Sequence, residues 1–104
     1  MSVVVETSTE ADAQAEAAER WWRENRPSAP GRFIEELAAA LRLLAQSPQS
    51  GRKVRGRRVR GLRRLLLPMT RYYVYYVYQP EIARVVAISI WSAYRGRGPR
   101  LRVP

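Results

Sequence analysis

Residues 72–78 read Tyr72-Tyr73-Val74-Tyr75-Tyr76-Val77-Tyr78, an unbroken run of aromatic and β-branched side chains. Such a run suits a pleated strand. Branched and ring side chains lose rotamer freedom in a helix and pack well on a sheet. Proline punctuates both sides: Pro68 ends the apolar stretch 62–67, and Gln79-Pro80-Glu81 makes a turn before a further β-rich run, 82–91. Three strands with short connections predict an antiparallel meander. Alternation puts Tyr72, Val74, Tyr76 and Tyr78 on one face and Tyr73, Tyr75 and Val77 on the other. One of those faces must be covered by the rest of the chain.

The cover comes from upstream. Val3 to Glu6 is a short β-branched strand that joins the sheet edge as a fourth member. Thr7-Ser8-Thr9-Glu10 has capping-box spacing, with Thr7 as the cap. Ala11, Ala15, Ala18 and Trp22 then recur at helical intervals, with Trp21 widening the face, and Pro27 stops the helix. A second helix starts around Ser28 to Pro30. It carries the apolar row Phe33, Leu37, Leu41 and Leu44, broadened by Ile34, Ala38 and Ala45, and closes at Ser47-Pro48. Residues 49–61 are basic and glycine-rich and read as a solvated loop. The order is therefore β-α-α-β-β-β, an α+β fold with a helical hairpin on one face of a small, mainly antiparallel sheet. Residues 1–104 are expected to form one domain, with 96–104 as an extended tail.

Composition narrows the chemistry. The 104 residues contain no Cys and no His, which removes disulfides, thiol nucleophiles, Cys/His zinc sites and histidine-based proton transfer. No metal and no cofactor is expected. Val3-Val4-Val5 is too short for a signal-peptide core and no apolar stretch approaches ~18 residues, so a cytoplasmic location away from membranes is expected. The net charge is +10, and it is divided unevenly. Residues 1–50 hold eight acids and five bases, whereas residues 51–104 hold Glu81 against fourteen bases. Codon bias accounts for arginine over lysine but not for halves of opposite sign. A basic half points to an acidic partner or a phosphate backbone.

The ordered set of motifs resembles the RelE/ParE superfamily of toxins from bacterial type II toxin–antitoxin systems. The resemblance rests on residues 21–27 (WWRENRP), Phe33 with Glu36-Leu37, Leu44 with Pro48-x-x-Gly51, and residues 59–65 (VRGLRRL). The strand 72–77, then Trp91-Ser92-Ala93-Tyr94-Arg95-Gly96 and Pro99, complete it. It spans nearly the whole chain, although no one piece is specific. It implies a small toxin neutralised by a cognate antitoxin, as a homodimer or a hetero-oligomer with it. Two activities divide the superfamily: RelE-like members cut mRNA on the ribosome, and ParE-like members poison DNA gyrase without recognised catalytic residues.

Cleavage by 2′-OH attack needs a proton acceptor, a proton donor and cations for the phosphate. By the resemblance, Arg63 or Arg64 fills the second-strand cation position and Arg95 the position after the last strand. The third-strand cation position holds Tyr73, and no Tyr or His follows Arg95, leaving Tyr94 as the substitute. The catalytic candidates are therefore Arg64, Tyr94 and Arg95. With two roles unfilled, the WWRENRP stretch and short tail favour the ParE branch, a gyrase inhibitor without catalysis.

The basic half with an uncovered sheet edge is a template for an acidic antitoxin segment crossing residues 59–97. Arg60, Arg63, Arg64, Trp91, Arg95 and Arg97 are the candidate antitoxin- or target-binding residues. The plainer reading of the tyrosines and of Trp21 and Trp22 is packing, and of the arginine loop, solvation. Arg63 and Arg64 must point to opposite faces, so only the outward one is available to a partner.

Overall fold

The computed structural model describes residues 2–101; residues 102–104 of the expected tail lie outside them. Strand β1 (Val4–Thr7) leads into helices α1 (Thr9–Asn25) and α2 (Arg32–Gln46). Strands β2 (Arg52–Lys53), β3 (Leu62–Leu67), β4 (Tyr72–Gln79) and β5 (Arg84–Ser92) follow, with a 3₁₀ turn at Pro80–Ile82. They form a five-stranded sheet in the order β1-β5-β4-β3-β2. β1 runs parallel to β5 and the other pairs are antiparallel. The expected α+β fold is present.

Both helices lie on one face of the sheet. On α2, Phe33, Leu37, Ala40 and Leu44 are buried, and Phe33 and Leu44 have no exposed surface. Burying each of those two large side chains contributes about 1.5–3 kcal/mol. Ala11 and Ala18 are the buried positions of α1, small enough for that helix to lie close on β5. Beneath them sit Leu67, Val74, Tyr76, Val85, Ala87 and Ile90, with Tyr72 and Tyr78 packed alongside. The Tyr72 face of β4 is thus the covered one. Tyr72 meets Phe33 edge-on, ring centroids 5.0 Å apart.

Several local expectations are corrected. The first helix is capped by Ser8, not Thr7: Ser8 Oγ accepts from the Ala11 N–H, because β1 continues through Thr7, which pairs with Ala87. Thr7 instead donates its hydroxyl to Asp12. The second helix starts at Arg32, because the Ala29 carbonyl is held by the Trp22 indole at 2.9 Å and the intervening residues turn. The strand after the Pro80 turn starts at Arg84, following Ala83 in the left-handed region (φ 50°). The segment read as a solvated loop contains β2, whose Arg52 and Lys53 pair with Arg64 and Arg63.

Tyr76 anchors the start of that segment. Its hydroxyl donates to the Pro48 carbonyl (2.8 Å) and accepts from the Gly51 N–H (2.9 Å). Burial pushes this hydroxyl above its ordinary value of 10.0, against the Gly51 N–H and the Arg63 charge, which pull it down. Burial raises Tyr72 likewise, opposed by Arg95. The folded chain holds both protons more tightly than the unfolded chain. Stability from this source is complete below about pH 10 and is lost as pH rises beyond it. Denaturant titrations between pH 9 and pH 12 are expected to show the decline, and Tyr72→Phe with Tyr76→Phe is expected to flatten it.

The tail is not free. Pro99 is fully buried, Leu101 packs with Leu62, Tyr75, Val86 and Ile88, and Arg57 donates to the Pro99 carbonyl. Val54 and Val59 of the basic loop pack on the same cluster. Loop and tail therefore close together over part of the sheet face opposite the helices.

Candidate functional site

The rest of that face stays open, and its geometry depends on one irregularity. Tyr75 pairs with Ser89 but Tyr76 pairs with Ala87, so β5 carries an extra residue at Ile88. Plain alternation from Val85 and Ala87, both under the helices, would place Trp91 there too. The bulge re-phases the strand: Ile90 joins the helix-side core and Trp91 emerges on the open face. Gln14 of α1 secures it, its Oε1 accepting from the Ile90 N–H (2.8 Å) and Ser89 Oγ (3.1 Å).

Trp91 then stands beside Tyr73, its partner across the ladder. Together with Arg64, Tyr75, Ser92, Arg95 and Arg97 they line a concavity of about 230 Å³. The Arg64 guanidinium lies over the Tyr73 ring at 4.1 Å and donates to the Tyr75 hydroxyl at 3.3 Å. Arg95 lies over Trp91 at 4.3 Å, and the Trp91 indole donates to the Arg97 carbonyl at 2.8 Å. The aromatic rings hold the two guanidiniums in place through cation–π attraction, each contact worth about 0.5–1 kcal/mol where water has access. No carboxylate lines the concavity, and neither ion pair shown among the described residues, Arg23–Glu19 and Arg84–Glu6, draws on these arginines.

Of the candidates read from the sequence, Arg64, Trp91, Arg95 and Arg97 are brought together here. Arg63 points to the opposite face, donating to the carbonyls of Gln49 (3.1 Å) and Gly51 (2.7 Å). Arg60 is exposed in the turn before β3. Tyr94 is 79% exposed and lines a different groove, with Trp21 and Trp22, so Arg64, Tyr94 and Arg95 do not share one cleft. Sequence reasoning missed Tyr75 as a member. Its placement beside Tyr73 was visible in the alternation, but which face the helices cover was not.

Chemically, the concavity can bind anions and flat apolar groups. Arginine does not give up its proton at any working pH, so it supplies charge and hydrogen bonds, not general base catalysis. Two or three guanidiniums beside tyrosine and tryptophan rings suit carboxylates, phosphates and bases alike.

Three comparisons place this architecture. Residues 5–95 match the family model described as the ParE toxin of the type II toxin–antitoxin system parDE. No curated protein matches the chain by sequence. Among solved structures, a chromosomal ParDE system from P. aeruginosa superposes with a TM-score of 0.69 at 15% identity, over 86% of this chain and 95% of that one. The toxin–antitoxin complex RelBE2 from Mycobacterium tuberculosis gives 0.58 at 18% identity, over 88% and 99%. The isolated E. coli RelE toxin gives 0.55 at 22% identity, over 90% and 87%. At these identities the structural likenesses show the fold, which the two branches share. The family model, matched over most of the chain, decides between them: this chain belongs to the ParE toxin family of type II toxin–antitoxin systems.

Proposed function

We propose that this toxin arrests replication by binding DNA gyrase without catalysis, and that a cognate antitoxin holds it off by laying an acidic segment across the open face. The observation that carries the reading is the make-up of the open concavity. It gathers Arg64 and Arg95 over aromatic rings with Arg97 beside them, its lining has no carboxylate or imidazole to accept a proton, and Tyr94 lies outside it. Binding, then, is what these side chains do well.

The antitoxin seat follows from the same face. β2 covers only Arg63 and Arg64 of β3, so the outer side of β3 from Leu65 to Leu67 has no strand beside it. An added strand there satisfies backbone groups, and acidic side chains on it reach Arg52 and Arg64. The proposed setting is the cytoplasm, and among the described residues no helix is long and apolar enough to cross a membrane.

A ribosome-dependent mRNA ribonuclease is the second reading, favoured by the one contact between Arg64 and the Tyr75 hydroxyl. Induced expression in a bacterial host, with pulse-labelling of new DNA and new protein within minutes, separates the two. DNA synthesis is expected to stop first while translation continues. Translation stopping first overturns the gyrase reading and makes Arg64, Tyr75 and Arg95 the groups to mutate.

A further inference from the structure

A second groove lies beyond the end of β5, between the last turn of α1 and the β3–β4 turn. Its volume is about 490 Å³, and Trp21, Trp22, Arg26, Met69, Tyr72 and Tyr94 are prominent among its lining residues. Arg95 and Ser92 line it as well as the open concavity. The groove exposes large side chains at an apparent loss: Trp21 is 45% exposed, Met69 60% and Tyr94 79%. Isolated exposed apolar residues are ordinary, but three converging on one groove are not. Tryptophan, tyrosine, methionine and arginine are also the residues that protein interfaces gather at their centres.

The scaffold beneath is fixed. Arg26 sits against both indoles, 5.3 Å from Trp21 and 5.6 Å from Trp22, and Trp22 is tied to the Ala29 carbonyl. Glu36 holds the opposite wall, accepting from the Met69 N–H, the Thr70 N–H and the Thr70 hydroxyl. That carboxylate is fully engaged with the turn, and the groove's own lining contains two arginines and no acid. A rigid groove with an aromatic floor and a cationic rim needs an apolar anchor flanked by negative charge.

We infer that this groove docks an acidic segment of the toxin's protein target, which inserts one large apolar side chain between Trp21, Met69 and Tyr94. Arg95 belongs to both surfaces, so an antitoxin that engages Arg95 on the open face withdraws a cation from the target groove. This second step rests on the antitoxin seat proposed above; the docking itself does not.

The test uses the whole toxin and a labelled nine-residue peptide, a central phenylalanine with four aspartates or glutamates on each side. Binding is followed by anisotropy and by quenching of indole fluorescence. Trp21→Ala and, separately, Tyr94→Ala are each expected to weaken it about tenfold, the loss of roughly 1.4 kcal/mol typical of one interface anchor. Arg42→Ala is expected to leave it within about twofold, since that exposed α2 side chain lines neither the groove nor the open concavity, a change inside ordinary additivity error. Tyr94 is about four-fifths exposed, so its variant keeps the fold even where Trp21→Ala does not. The inference is overturned if a peptide with alanine at its centre binds equally well, which leaves charge alone. It is also overturned if an oligothymidylate of similar charge binds with the same Trp21 and Tyr94 dependence, which makes the groove a nucleic-acid site. Pulse-labelling reports on the gyrase reading and the peptide titration on this one, so the two fail separately.

Discussion

Reversing two charges, Arg64→Glu with Arg95→Glu, is expected to weaken antitoxin binding by about a hundredfold or more. Losing one member of a desolvated, hydrogen-bonded charge pair at an interface costs about 2–5 kcal/mol, and a rim contact far less. Arg64 is half-buried on the open face and held over Tyr73, so it belongs to the costly class. Arg95, stacked on Trp91, adds to it. Neither side chain enters the helix-side core, so the cost to folding is confined to the two ring contacts, about 1–2 kcal/mol together, and the variant is expected to stay folded at assay temperature. The salt dependence should change as well. The parent's affinity is expected to fall steeply as ionic strength rises and the variant's to respond weakly, because screening acts on charges the variant has lost. Titration of labelled antitoxin at low and high salt reads both quantities. A loss under threefold at low salt removes the open face from the interface. Arg63→Glu is the instructive control. Its guanidinium is spent on the carbonyls of Gln49 and Gly51, so the expected damage is to stability.

Gly51→Ala is expected to destabilise the fold by about 2–3 kcal/mol, on the order of 10–20 °C in the unfolding midpoint for a chain of this size. A Cβ at this position would come to 2.7 Å from the Arg64 carbonyl oxygen and 2.7 Å from the Tyr76 hydroxyl. The first is strand backbone, paired with β2 on one side and β4 on the other, and the second belongs to a fully buried ring. Neither can step aside cheaply. Giving way at Tyr76 also opens its two hydrogen bonds to the 48–51 turn and leaves buried polar atoms unpaired. Differential scanning calorimetry measures the midpoint directly. Gly96 makes the comparison, since a Cβ there meets nothing within 4 Å and alanine is expected to change little.

These two sites show why the sequence was legible in some places and closed in others. The aromatic run 72–78, the two helical stripes and the proline breaks each carry a local period, and each became the element it predicted. Pro48-x-x-Gly51 was recognisable as a motif, but its reason is non-local: the glycine is needed because Tyr76 closes over it. β2 was hidden for a similar cause. Its two residues are arginine and lysine with exposed side chains, and only their backbones pair. The faces of β4 could be separated from the sequence but not ranked, because both are apolar and both are partly covered. For Trp91, alternation gives the wrong face outright, since an inserted residue reverses the period and the sequence of β5 bears no glycine or other mark of a bulge. Trp91 and Arg95 were found through family resemblance, Arg97 through its place in the basic half just past the last strand, and their meeting with Arg64 through the fold alone.

The parallel pairing of β1 with β5 bears on when, during synthesis, the open concavity is completed. Ser8 and Ile88, which touch where this pairing meets the cap of α1, are 80 residues apart in the chain. At bacterial and eukaryotic synthesis rates of about 5–20 residues per second, roughly 4–16 s separate their emergence. Through that interval the first strand has no neighbour to join, α1 has no sheet to rest on, and Gln14 has no bulge to hold. Arg95 and Arg97 of the open concavity follow Ile88 in the chain, so the concavity too is completed only after that interval. The open concavity and the seat of the first strand are therefore completed in the same step of synthesis.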